Sequence, residues 1–378
     1  MKRIQHGMSL VEVLVAVAIG LIGILIITQA YLASDNFNRS TLGEGGAQTN
    51  GTIALFTVQR DLRMAGYGIA DSRALGCGNI NFYYNSNYSV NLGGTLPNVT
   101  LAPVLITASA GAPDTVTVMY STNASLSVPA TLSNTTAAGS GINWGVGGVA
   151  GFVKGDLVLM VSNSTPGSCT LRQLTNLPGA PYVQTNPSSP YNPSGGGSFP
   201  SYGTNDLVFD LGSAIVHAYS VVKTDPTCTS GCQASLRLTD NVFQGGTSYD
   251  LLDGIVDLKA QYGMDNGIDN STVSQTSYTA DDGVVDSYDT ATPATVADWQ
   301  RVIAVRLAVL ARVGTYEKPS TPGGNCSATT TMPTWSGSGS GAAFDAIDVT
   351  TATSQDRCYK YRVFETVVPL RNMIWRVS

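Results

Sequence analysis

The residues best suited to hold a cation lie in one late stretch. Asp265, Asn266, Asp269, Asn270, Asp281, Asp282 and Asp286 offer oxygen donors at short spacing. That set suits calcium, a hard cation that takes six to eight oxygens. The stretch lacks the spacing and terminal Glu of an EF-hand loop. Asp-Asn-Gly and Asp-Asp-Gly are also ordinary turn sequences. Calcium at Asp265, Asp269, Asp281, Asp282 and Asp286 therefore competes with plain turns.

The six cysteines are the second set: Cys77, Cys169, Cys228, Cys232, Cys326 and Cys358. An even, dispersed set reads as up to three disulfides in an oxidising compartment. Six cysteines allow fifteen pairings. Local closure suggests Cys228 with Cys232 and Cys326 with Cys358, which leaves Cys77 with Cys169. Zinc is the competing reading. Zinc sites usually combine tighter Cys pairs with His, and neither His6 nor His217 is close to such a pair.

No catalytic constellation emerges, and the chain is expected not to be an enzyme. Its Gly-Gly pairs lack the following Lys of a phosphate loop. His217 sits in the strand-like run 214–219 and reads as a packed core residue. The alternating Ser/Gly run 336–341 is low-complexity sequence, so its serines are discounted as nucleophiles.

The most unusual carboxylate is Glu12, which stands inside an apolar segment. The run is unbroken from Val13 to Ile27. With 8–11 before it and 30–32 after it, it reaches roughly the twenty residues of a bilayer core. A carboxylate costs about 2.5–3.5 kcal/mol at the bilayer centre and less near an interface. Glu12 therefore either reaches the headgroups or pairs with a positive group on a neighbouring chain. Lys2 and Arg3 would hold the N-terminus in the cytoplasm, so that the rest is exported. An ordinary secretory signal carries a small-residue cleavage site after the apolar run. Here 28–30 is a poor version of one, and the better junction, Gly7-Met8, precedes the run.

Gly7-Met8-Ser9-Leu10-Val11-Glu12 followed by an apolar helix resembles the prepilin motif of type IV pilins and type II secretion pseudopilins. The resemblance implies cleavage after Gly7 by a prepilin peptidase and N-methylation of Met8. It also implies neutralisation of Glu12 by the α-amino group of an adjacent subunit. Pairing two opposite charges in hydrocarbon is far cheaper than burying either alone. Four further segments resemble PilW-type minor pilins: QTNGTIALFTVQRDLRMAGYG at 48–68, LLDGIVDLKAQYGMD at 251–265, WQRVIAVRLAVLARV at 299–313 and YRVFETVVPLRN at 361–372. Residues 70–245 carry little of the pattern. Pro is absent from the membrane helix, where many major pilins have one at the position of Gln29. The glycine- and serine-rich excursion between Cys326 and Cys358 is similar to the disulfide-bounded loop near the C-terminus of many pilins.

The elements that must position these residues follow. Leu55, Val58, Leu62 and Ala65 mark one stripe of an amphipathic helix over 52–65, which Gly66 and Gly68 should end. Gly43, Gly45, Gly46 and Gly51 each cost a helix about 1 kcal/mol relative to Ala, so a break is expected near 43–51. Strands are expected over 115–119, 156–161, 205–211, 214–222, 301–311 and 359–368. Both faces of 301–311 are apolar and should be covered. Residues 184–203 read as a long Pro/Ser/Gly/Asn loop.

The expected fold is α+β and pilin-like, a long N-terminal α-helix on an antiparallel β-sheet with additional β-rich elaboration. The expected divisions are a leader (1–7), a membrane half of the helix (8–32), an amphipathic half (33–68) and a periplasmic β-rich domain (69–378), with lobes 69–200 and 204–378. Only 12% of residues are charged and the formal net charge is −6, which suits a secreted domain and disfavours nucleic acid as a partner. The resemblance implies a minor pilin that promotes pilus assembly at the tip. It implies single-pass residence in the bacterial inner membrane and later in the extracellular pilus. Its partners would be other minor pilins, the major pilin, the prepilin peptidase, the inner-membrane assembly platform and a tip adhesin. The alternatives are a minor pseudopilin of type II secretion and a tip-displayed adhesive module.

Overall fold

The computed structural model describes residues 9–75, 77–97, 99–123, 128–134, 143–165, 167–194, 199–240, 242–267, 280–319, 321, 323–337 and 343–374. One helix, α1 (Leu10–Leu62), carries the chain away from its N-terminus. At 1.5 Å per residue it is about 80 Å long. From Val13 to Ile27 it is apolar on every face, and its most apolar window is 0% buried. Its second half packs on a sheet.

That sheet has the strand order Ser287–Asp289, Ile255–Met264, Val302–Arg312, Tyr361–Pro369. All three pairings are antiparallel. Every residue of Val302–Arg312 is buried. Alternation explains why. Val305, Leu307, Val309 and Ala311 join Ala47, Ala54, Val58 and Leu62 of α1 in one core. Ala308 and Leu310 point the other way, against Phe344, Ile347 and Val349 of the excursion between Cys326 and Cys358.

A second antiparallel sheet shares the α1 core. Its order is Thr247–Asp253, Ala234–Asp240, Ile215–Lys223, Thr115–Tyr120, Val104–Thr107. A third, outer sheet has the order Asn79–Asn81, Ser168–Gln173, Leu157–Val161, Leu207–Gly212, Ala130–Thr131. Its first pairing is parallel. A separate core forms from Ile80, Leu159, Leu171 and Phe209 of the outer sheet with Met119 and Val216. The boundary expected at 201–203 is crossed in both directions. Leu207–Gly212 pairs with Leu157–Val161 in the outer sheet, while Thr115–Tyr120 pairs with Ile215–Lys223 in the middle one. The Pro/Ser/Gly/Asn segment is not a free loop where it is described: Tyr191, Phe199 and Tyr202 are buried.

The expected break at 43–51 is absent, because α1 runs through it as continuous helix. Two of the four glycines are contact points. A β-carbon on Gly43 would lie 2.5 Å from Thr315 Oγ1 and 3.1 Å from Val313. One on Gly51 would overlap the ring of Phe364 in the edge strand. Without those glycines the helix axis could not come this close to the sheet. Gly45 and Gly46 face open space and carry only the usual helix penalty, which packing of their neighbours offsets.

This contrast gives a paired test. Gly51→Leu should destabilise the full chain in detergent micelles by about 1–3 kcal/mol, the usual cost of overpacking. Gly45→Ala should stabilise it by up to about 1 kcal/mol. Urea unfolding followed by tryptophan fluorescence measures both, and a Gly51→Leu chain as stable as its parent would refute the contact.

Candidate functional site

Two ends of α1 carry the chemistry. At the start, Ser9 caps the helix by accepting a hydrogen bond from the Val11 amide at 3.2 Å. Glu12 follows in the first turn, where the positive end of the helix dipole favours a carboxylate. From Leu10 to Leu32 the large apolar side chains are exposed. The helix is long and apolar enough to cross a membrane, and its most apolar window is 0% buried. Gly7 and Met8 lie outside the described residues.

At the other end, α1 is pinned by polar contacts. Asp61 is 2% exposed although it belongs to a carboxylate. Its Oδ2 lies 2.5 Å from His217 Nδ1 and accepts from Tyr219 Oη at 2.7 Å. The other imidazole nitrogen, Nε2, lies 3.3 Å from Asp240 Oδ1. Burial raises the Asp61 pKa, but the hydrogen bonds from His217 and Tyr219 outweigh it and hold the carboxyl below its ordinary value. The turn just past the helix is tied to the far end of the chain: Asn372 Nδ2 donates to the carbonyls of Met64 and Ala65 at 3.1 and 3.0 Å. Gly66 and Gly68 then turn the chain with positive φ, and the Gly66 amide donates to Met119 O.

A second network locks the helix-bearing sheet to the loops behind it. Lys259 Nζ lies 2.5 Å from Asp345 Oδ1 and 3.7 Å from Asp114 Oδ1, and donates to Ala112 O at 2.8 Å. Asp257, wholly buried, accepts from the amides of Leu258 and Ala346. Burial pushes the Asp257 carboxyl up to about 7 despite the nearby Lys259. Burial also pushes up Asp210, against which the Asp156 carboxylate lies.

The structure pairs Cys77 with Cys169, Cys228 with Cys232 and Cys326 with Cys358. The last closes the excursion that covers the back of the sheet. The described part of the acidic stretch makes turn contacts. Asp265 accepts from the amides of Asp282 and Gly283, Asp286 accepts from Gly267, and Asp282 from Val284. Asp281 faces Arg301 at 3.6 Å. Asp269 lies outside the described residues. Among the described residues no three His, Cys, Asp or Glu side chains converge as for a metal. These carboxylates serve the turn chemistry that their Asp-Asn-Gly and Asp-Asp-Gly context allows.

His217 is packed, as its strand-like context suggested, yet it is half of a polar pin rather than an inert core residue. Asp61 and Asn372 carried no expectation. The signal for Asp61 was its position three residues after Val58 on the buried stripe, where a carboxylate demands a partner.

The two buried carboxyls give opposite pH signatures. Asp61 has a lowered folded pKa, so its contribution is present above the ordinary carboxylate range and lost as pH falls through it. Asp257 has a raised folded pKa, so its contribution is present at low pH and lost as pH rises toward about 7. Stability of the full chain should therefore peak in weak acid and decline toward pH 8. Asp61→Asn should cost on the order of 3 kcal/mol at pH 7, as for breaking a buried pair, and much less at pH 3. Asp257→Asn should lessen the decline above pH 5, with the part due to Asp210 remaining. Unfolding midpoints across pH 3–8 for the three chains test both signs.

Two family descriptions match the chain. Residues 2–28 match the Prokaryotic N-terminal methylation motif. Residues 221–372 match Type IV Pilus-assembly protein W. No curated protein and no solved structure matches. The second match spans the three long strands of the sheet that receives α1, Lys259 and Asn372; the first spans the apolar half of α1. With an apolar helix long enough to cross a membrane at one end and its receiving sheet at the other, the two matches support a type IV pilus minor pilin of the PilW family.

Proposed function

We propose that this minor pilin primes pilus assembly and sits at the pilus tip, with its β-rich domain in the periplasm before assembly. The observation that carries the reading is the single uninterrupted helix Leu10–Leu62, bare and apolar in its first half and seated on the sheet in its second. A bare apolar rod of this kind has two environments open to it, lipid and the apolar stems of other subunits. A subunit able to exchange one for the other can be extracted from the membrane into a filament.

In this reading a prepilin peptidase cuts between Gly7 and Met8, and Met8 is then N-methylated. Glu12 pairs with the α-amino group of a neighbouring subunit. Its place in the first turn suits that role, because one turn of helix separates the carboxylate from the new N-terminus and a neighbour offset along the axis can bring its own amine alongside. Other minor pilins, the major pilin and the inner-membrane assembly platform are the partners. A role in type II secretion has no comparable support, since the family match is to a pilus-assembly protein.

Cells with an in-frame deletion should carry few or no surface pili while type II secretion continues. Normal pili with failed secretion would transfer the chain to the pseudopilins. Glu12→Ala should still be cleaved, giving a mature band of normal size on immunoblots, but should restore piliation to the deletion strain poorly. Full restoration by Glu12→Ala would remove the proposed pairing.

A further inference from the structure

Arg172 on the outer-sheet strand Ser168–Gln173 is 5% exposed. Its Nε is enclosed with no acceptor, and no carboxylate forms an ion pair with it among the described residues. The titratable groups close enough to act on it are the phenols of Tyr88 and Tyr202. Burial pushes its pKa down to about 10, which is what an enclosed cation without a compensating anion undergoes.

Other buried arginines in this chain are provided for. Arg306 donates to Ser336 O and stacks on Tyr288 at 3.6 Å. Arg312 also leaves Nε unpartnered, but its Nη1 donates to Gly231 O at 2.8 Å and Cys232 O at 2.6 Å. Arg172 has the ring and lacks the acceptors: its guanidinium lies 4.0 Å over the Phe199 centroid. Buried polar groups without partners are rare and need an explanation. A guanidinium has five donors in a planar fork, and that fork matches a carboxylate in two parallel hydrogen bonds.

The surroundings narrow the class. Phe199 is followed outward by Tyr88 at 5.9 Å and Tyr83 at 4.9 Å from Tyr88, both tyrosines half-buried. The rings lead from the guanidinium to the surface and would bear on the apolar body of a ligand. A single positive charge balances one carboxylate. A phosphate group would bring a second negative charge with nothing nearby to meet it. We propose that Arg172 anchors a binding site for a ligand carboxylate, with the rings of Phe199, Tyr88 and Tyr83 as the wall along which the ligand lies. The strand lies outside both matched segments, and the proposal stands apart from the priming role.

The test uses the full chain in detergent micelles, with sodium benzoate as the probe. Its neutral isostere benzamide and sodium chloride at equal ionic strength are the controls. Benzoate should raise the unfolding midpoint by a few degrees in a saturable way, and benzamide should not. Arg172→Met should abolish the response, and Arg172→Lys, which keeps the charge but loses the fork, should weaken it about tenfold or more. Without ligand, Arg172→Met should unfold at the parent's temperature or above it, because it removes an unpaired buried charge. Run in parallel, glucuronate and N-acetylphenylalanine separate a sugar carboxylate from a peptide one, and binding of either through Arg172 supports the site. A benzoate response no larger than that of chloride, an equal response in Arg172→Met, or a ligand-free Arg172→Met chain that unfolds well below the parent would each overturn the proposal.

Discussion

Close approach between the second half of α1 and the strands Val302–Arg312 and Tyr361–Pro369 is the constraint on which the rest depends. A helix can sit this near a sheet only if the residues between them are small. Gly43, Ala47, Gly51 and Ala54 supply that face over three turns, and Val58 and Leu62 fill the wider space beyond. The same helix must be apolar all round from Val13 to Ile27, because that span has no protein to lean on. One rod therefore serves two solvents, and continuity between its halves fixes where Glu12 stands relative to the domain. A melted joint at 43–51 would have left that relation loose.

Seating the helix imposes demands on the far side of the sheet. Val302–Arg312 is apolar on both faces, so the face turned from α1 needs its own cover. The excursion closed by Cys326 and Cys358 supplies it through Phe344, Ile347 and Val349. Irregular chain used as cover has little regular hydrogen bonding of its own, and it is fastened by charge: Asp345 to Lys259, and the Ala346 amide to Asp257. Asp356 fastens its base, accepting from the amides of Gly231 and Asp348. A loop that reads as low-complexity surface in the sequence is thus part of the second core.

What was legible in the sequence was whatever depends on local periodicity. The apolar span, the stripe Val58–Leu62–Ala65, the two-faced strand near 301–311 and the glycines after the helix all express a repeat or a local conformational preference, and the structure follows them. What depends on contacts between distant residues was not legible. Gly43 and Gly51 read as weak points, since a glycine's helix cost is local and its packing value belongs to Thr315, Val313 and Phe364. Asp61 and Asn372 gave no local sign of their partners, His217 and the carbonyls of Met64 and Ala65. The acidic stretch at 265–286 offered the right donors for a cation, but their direction was decided by turns, where backbone amides took the oxygens first.

The layering also explains how one half of the domain can depart from its family pattern while the other keeps it. The matched segment 221–372 contains the receiving sheet, its fastening lysine and the Asn372 tie to the turn after α1. Among the described residues, the turn that follows α1 joins the outer layer through Ile69, which shares a core with Met119 and Val216. Substitutions in the outer layer therefore need to satisfy that turn and the middle sheet, not the helix. Freed from the geometry that α1 demands, the outer sheet can hold a feature that costs stability, such as a buried guanidinium without a carbonyl or carboxylate acceptor. In the receiving sheet the same feature would weaken the seat on which the whole rod depends, and there Arg306 and Arg312 each donate to backbone carbonyls.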